Sequence, residues 1–166
     1  MTVVEAIEKA RSYFLTEDHV YGCAETAFLV LQEAFDLSNA PDSALAMALN
    51  GGVAWSGGVC GAITGAALAV GWLAGQRVAD HKEAKRVARR IMARYTEEFC
   101  RQWGAVDCRT LIGQEIRTDE QHTAFIKSGL WQDVCMRQIE FAVRKLLPLR
   151  DEEVWQRNLG AAGQGA

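Results

Sequence analysis

Several common signatures are missing from this chain. It has no C-x-x-C pair, which excludes ready-made zinc modules and the tight cysteine runs of ferredoxins. It has no C-x-x-C-H, which excludes covalent c-type haem. No G-x-S-x-G nucleophile elbow occurs, and His81 and His122 stand in polar helical surroundings, so a conventional hydrolase is not expected. Apolar–polar alternation never lasts more than a few residues, so no sheet is expected and the fold class is all-α. Charge of one sign is also scarce. The 18 Lys and Arg against 21 Asp and Glu leave a net charge of −3, which gives no reason to expect nucleic acid. The one basic cluster, Lys82 to Arg94, is interleaved with apolar positions and reads as the solvated side of a helix. The stretch from Gly57 to Gly75 is too short and too glycine-rich to span a membrane, and Met1–Glu5 has neither a basic nor an apolar leader region. The expectation is a soluble cytoplasmic protein.

What remains is a chain of 166 residues, 49% of them hydrophobic, enough for a substantial core. Residues 1–150 are expected to form a single helical domain, and 151–166 a C-terminal extension that is disordered from Gly160 onward. Five cysteines stand out. In a reducing compartment they point to metal binding or redox chemistry more than to structural disulfides. The competing reading is that they are buried as small apolar fillers.

The chain is organised around residues 51–75. A glycine-rich approach leads to Cys60, and from Gly61 onward the residues are small and apolar nearly all round, as in a helix buried by its neighbours. Gly61 and Gly65 leave one flank bare, so another backbone can approach closely. Gly75 reads as the stop. Cys60 then lies at the helix mouth, where free N–H groups and the macrodipole favour an anion by about 0.3–1 kcal/mol. A lowered pKa and an enriched thiolate are expected there.

The other elements follow from caps and periodicity. Thr2–Glu5 forms a capping box for a helix to about Leu15, with Val3, Ala6, Ile7, Ala10 and Phe14 as its apolar stripe. A second helix starts around Cys23 and runs to about Phe35. Asp42 caps a short third one. A long helix spans Asp80 to about Trp103, and Gly104 ends it. Asp107 and Gly113 bracket a helical turn that begins at Cys108. Thr118–Gln121 opens another helix, broken at Gly129. Asp133 is the expected N-cap of the last strong helix, with Cys135 in its first turn. His19 reads as an exposed loop residue, while Trp55 and Trp72 read as core.

Cys23, Cys60, Cys108 and Cys135 thus all fall at expected helix starts, and Cys100 at a helix end, where exposed carbonyls disfavour a thiolate. Four converging helix mouths would make a pocket for thiolates. Four thiolates repel unless a cation, a cluster or a disulfide relieves them. Thiol or electron exchange and a four-cysteine metal or iron–sulfur site are both consistent with this, and spacing does not choose between them.

At these residues the sequence resembles the C_GCAxxG_C_C family, small bacterial and archaeal chains with four characteristic cysteines and a CGAxxG motif. The motif stands here as Cys60-Gly61-Ala62-Ile63-Thr64-Gly65. The preceding cysteine matches Cys23, the third Cys108 within Cys108-Arg109-Thr110-Leu111-Ile112-Gly113, and the fourth Cys135. The resemblance covers roughly residues 5–147. One departure is Trp131-Gln132-Asp133-Val134, where many members carry a proline. The resemblance implies a redox role. Non-haem domains of split-Soret-type cytochromes look similar and imply an iron–sulfur cluster or another thiolate-bound metal as an occupant.

Three readings follow. In the first, Cys60 is the attacking thiolate and Cys23, Cys108 or Cys135 resolves it. In the second, Cys23, Cys60, Cys108 and Cys135 hold an iron–sulfur cluster or another metal for electron transfer. In the third, the chain is a non-catalytic helical interaction module with cysteines as filler. A redox partner and a second copy of the chain are the partners to be considered; nucleic acid and membrane insertion are not.

Overall fold

A computed structural model describes residues 1–160. The expected disorder at 161–166 lies outside the described residues. The described residues form an all-α bundle: α1 (Val3–Phe14), α2 (Cys23–Ala34), α3 (Gly61–Arg77), α4 (His81–Trp103), α5 (Cys108–Ile112), α6 (Asp119–Ser128), α7 (Met136–Leu146) and α8 (Glu152–Gly160). Short 3-10 turns cover Ala44–Leu49 and Leu147–Arg150, and a π-helical segment, Trp131–Cys135, runs into α7. No helix among the described residues is long and apolar enough to cross a membrane.

The local chemistry of the helix ends is largely as the sequence dictates. Thr2 and Thr118 form capping boxes, and the side chains of Asp80 and Asp107 accept from Glu83 N–H and Thr110 N–H. Gly104, Gly113 and Gly129 end their helices in the left-handed region. Two boundaries differ. Gly75 does not stop α3, which continues to Arg77; it keeps a negative φ, so it never makes the left-handed turn by which a glycine ends a helix. Asp133 caps nothing. It sits inside the π-helical segment, so Cys135 lies within a continuous helical run and has no free amides around it.

The core is one cluster reaching from Ala6 to Trp155. Its centre is the contact of α2 with α3, the most extensive between any two helices. The bare flank of α3 makes this possible. A Cβ on Gly65 would collide with the Ala24 carbonyl group, and one on Gly61 with the Cys23 sulfur. α2 is buried over nearly its whole length, α4 backs α3, and α7 closes over α1 and α2. This packing seats the N-terminal ends of α2 and α3 side by side.

Candidate functional site

Cys23 is the first residue of α2, Cys60 is the N-cap of α3 and Cys108 is the first residue of α5. Backbone hydrogen bonds fix the last two together: Cys60 N–H donates to Val106 C=O at 2.8 Å and Cys108 N–H donates to Gly58 C=O at 2.6 Å. Val59 and Asp107 form an isolated antiparallel bridge between them.

The start of α2 is held by a polar network. Gly22 has no side chain to cap with, and Asn50 fills the space that a Cβ at Gly22 would need. Asn50 Oδ1 accepts from Ala24 N–H at 2.9 Å, a cap supplied from a distant loop. Its Nδ2 donates to Glu25, which also accepts from Gly22 N–H and Ser43 Oγ–H. The buried Glu25 carboxylate is thereby satisfied by three donors, as burial of a polar group requires.

Ahead of α3 the backbone makes an unusual turn. Gly51, Gly52, Val53, Ala54 and Trp55 all have positive φ, between 49° and 74°. The turn aims the Gly51 amide at Cys23 and swings Trp55 outward, where it stacks on His122 with centroids 4.2 Å apart and planes 10° from parallel. Trp55 is half-buried: it packs against the edge of the core, as expected, and also walls the cavity. Opposite it, Trp131 meets His19 edge-on at 4.4 Å.

Between these walls lies a cavity of about 230 Å³ onto which Cys23, Cys108 and Cys135 face. Cys60 does not line it; it is 4% exposed and lies behind, with its S–H donating to Gln138 Oε1 at 3.3 Å. Cys100 is exposed on α4, away from the cavity. Cys23, half-buried, is the electrostatic hub. Its charge is the foremost of the neighbouring charges raising the pKa values of Cys60, Cys108 and Cys135.

The thiol pKa values correct the sequence-based expectation. Burial pushes Cys60 well above the ordinary range, with Cys23 adding to the shift, and the amides of Ala62 and Ile63 pull it down without prevailing. A helix mouth is worth about 2 kcal/mol at most, less than the desolvation of a buried anion. Burial likewise raises Cys108 to about 12 and Cys135 well above the ordinary range. Cys23 is raised too, by desolvation, but the backbone amides of Gly51, Ala24, Cys23 and Gly61 work against that shift. The Ala24 amide is shared with Asn50. The warrant for Cys60 as a low-pKa nucleophile is gone.

His19, His122 and Trp55 are site residues that sequence reasoning missed. His19 and His122 are half-buried and face the same cavity, and burial together with His19 lowers the pKa of His122. None of the three belongs to a local motif, so no short-range signal marked them. Arg109 is exposed and paired with Glu115 at 3.0 Å, not with a thiol.

The resemblance implied a thiolate-bound metal or cluster. Among the described residues no three His, Cys, Asp or Glu side chains converge as a set that could hold a metal ion. The thiols as placed do not form a ready-made ligand set.

Comparison with protein families settles the kinship. A family model described as "Putative redox-active protein (C_GCAxxG_C_C)" matches residues 21–149, most of the chain and all of the elements that carry the four cysteines. The chain belongs to the C_GCAxxG_C_C family. Its description places the protein among redox-active chains and names no substrate or cofactor. No curated protein and no solved structure matches the chain.

Proposed function

We propose that this family member is a dithiol–disulfide oxidoreductase in which Cys23 attacks and Cys60 resolves. The observation that carries the reading is the position of Cys23. It is the one thiol that combines an opening to the cavity with backbone amides around its sulfur.

The Cys23 thiolate attacks a substrate disulfide in the cavity, and the amides of Gly51 and Gly61 stabilise the sulfur anion while it forms. Exchange at sulfur proceeds with the attacking and leaving sulfurs on opposite sides. The substrate sulfur leaves toward the cavity, so the second attack on Cys23 comes from the interior side. Cys60 precedes Gly61, whose backbone packs against the Cys23 sulfur, and it is buried and off the cavity wall, so it is the thiol assigned to that attack. Its high pKa keeps it protonated in the free protein, so it leaves the first attack to Cys23 and its own attack makes the second step the slower one. Cys108 and Cys135 face the cavity and are the reserve partners.

The test is trapping. Cys60→Ser should accumulate a mixed disulfide at Cys23, whereas Cys23→Ser should form none at that site and reduce no substrate. A Cys23→Ser protein that turns over like the wild type defeats the proposal. The second reading keeps Cys23, Cys60, Cys108 and Cys135 as ligands of an iron–sulfur cluster or another metal; Cys23, Cys108 and Cys135 face one cavity, but the thiols would have to draw together to bind it. A visible spectrum and bound iron in anaerobically purified protein would bring it forward.

A further inference from the structure

The cavity at Cys23 is almost without available charge. Trp55, Trp131, Phe14, Phe125 and Ile116 supply its apolar walls, and among the described residues neither Lys nor Arg lines it. Its only carboxylate, Glu25, already accepts from Gly22, Ser43 and Asn50. The two imidazoles are held in ring contacts, His122 on Trp55 and His19 on Trp131. Among the described residues, a substrate carboxylate or phosphate entering here would lose its hydration and meet no Lys or Arg, only imidazoles already packed on tryptophans. A flat apolar group would find aromatic faces and edges on both sides.

From this we infer that the substrate reduced at this site is a small, uncharged aromatic or apolar disulfide, not an anionic peptide disulfide or a protein. The inference rests on the exchange reading above. A cavity of about 230 Å³ holds a small molecule, and a folded protein does not enter it. The steps balance without another reactant. Cys23 S⁻ attacks one sulfur of R–S–S–R, the Cys23–S bond forms, the S–S bond breaks and R–S⁻ leaves and takes a proton. Cys60 S⁻ then attacks Cys23 Sγ, a Cys23–Cys60 disulfide forms and the second R–S⁻ leaves. The substrate gains two electrons as two thiols, and the protein dithiol loses them.

The experiment uses the full chain, reduced, with three probes: dithiodipyridine (neutral, aromatic), dithiobis-nitrobenzoate (anionic, aromatic) and glutathione disulfide (anionic, not aromatic). Each rate at Cys23 is divided by the rate of the same probe with free cysteine, which removes the leaving group's intrinsic reactivity. Dithiodipyridine should show a ratio at least about tenfold above that of glutathione disulfide, with dithiobis-nitrobenzoate between them. Trp55→Ala should reduce the dithiodipyridine advantage by roughly tenfold. Val20 lines the mouth and is 57% exposed, so Val20→Arg can be made without disturbing the core; it should raise the ratios for both anionic probes. Equal ratios for dithiodipyridine and glutathione disulfide, or anionic ratios unmoved by Val20→Arg, overturn the substrate class and leave the exchange chemistry standing. Failure of Cys23 to react with any probe removes the exchange reading itself.

Discussion

The Cys60 thiol donates its hydrogen to the side-chain carbonyl of Gln138 at 3.3 Å, and Gln138 is 2% exposed, with no hydrogen-bond partner for its Nε2 among the described residues. An amide in that place has two uses. Its oxygen accepts from the thiol, and after rotation its N–H is available to the thiolate, a charge-assisted bond of about 1.5–3 kcal/mol. Tyr95, whose hydroxyl is also buried without a partner, is raised in pKa by burial and then by the Cys60 charge.

The first prediction follows from that pair. Gln138→Leu removes both bonds while keeping an apolar volume close to the original. In a single-turnover experiment the release of the first substrate thiol should keep its rate, and the release of the second should slow by roughly tenfold or more. Stopped-flow absorbance of an aromatic leaving thiol separates the two phases. An unchanged second phase would remove Cys60 from the resolving role.

A second prediction concerns pH. Cys23, Cys60, Cys108 and Cys135 are all held above the ordinary thiol value of 9.0, Cys108 at about 12. The attack rate of Cys23 should therefore climb with pH through about 9 with no plateau near neutrality. Stability runs the other way. Where the unfolded chain has lost thiol protons and the folded chain keeps them, the folded state loses its advantage as pH rises. The contribution is intact below about 9 and falls toward about 12 for Cys108. Urea midpoints measured at neutral and alkaline pH should show that loss, and it should shrink in Cys108→Ser.

What could be read from the sequence was what local chemistry decides. The caps at Thr2, Asp80, Asp107 and Thr118 and the stops at Gly104, Gly113 and Gly129 each depend on a hydrogen bond or a backbone angle within four residues. The bare flank at Gly61 and Gly65 was legible because an absent side chain is visible in the sequence itself. The pKa of Cys60 was not. The helix mouth is local, but the burial that outweighs it comes from α4 and α7, remote along the chain. The Trp55–His122 and Trp131–His19 contacts join separate loops and helices, so no periodicity announces them. Asp133 misled because a good capping residue was overruled by continuous helical packing from Trp131 into α7.

A third prediction contrasts two glycines of α3. Gly65→Ala places its Cβ against the Ala24 backbone, with the carbonyl carbon only 2.9 Å away, and a backbone cannot step aside as a flexible side chain can. The α2–α3 contact must open, at about 1–3 kcal/mol or more. Gly71→Ala meets nothing within 4 Å and should stabilise the helix by about 0.5–1 kcal/mol. Thermal midpoints that move in opposite directions confirm the close approach. A neutral Gly65→Ala would mean that the two helices are not so near.

The last prediction concerns the left-handed turn before Cys60. Val53, Ala54 and Trp55 have φ of 67°, 49° and 61°, a conformation that is unfavourable by roughly 1–2 kcal/mol for each residue with a Cβ. The turn persists because it is tied on both sides. Gly57 N–H donates to Gly51 C=O at 3.1 Å, Gly58 N–H donates to Gly52 C=O at 3.0 Å, and Trp55 is stacked on His122. The strain thus sits where the turn supplies one amide to Cys23 and one wall to the cavity. Ala54 is exposed and contributes only its Cβ to that strain. Ala54→Gly should raise the urea midpoint, by a net amount of about 0.5–1 kcal/mol after the added chain entropy of glycine. Gly51→Ala should do the opposite, since its Cβ would lie 2.6 Å from Trp55 Cδ1, and it should slow the attack of Cys23 as the amide is displaced. If Ala54→Gly destabilises the protein, the turn is not strained; if Gly51→Ala leaves the Cys23 rate untouched, the amide does not serve the sulfur.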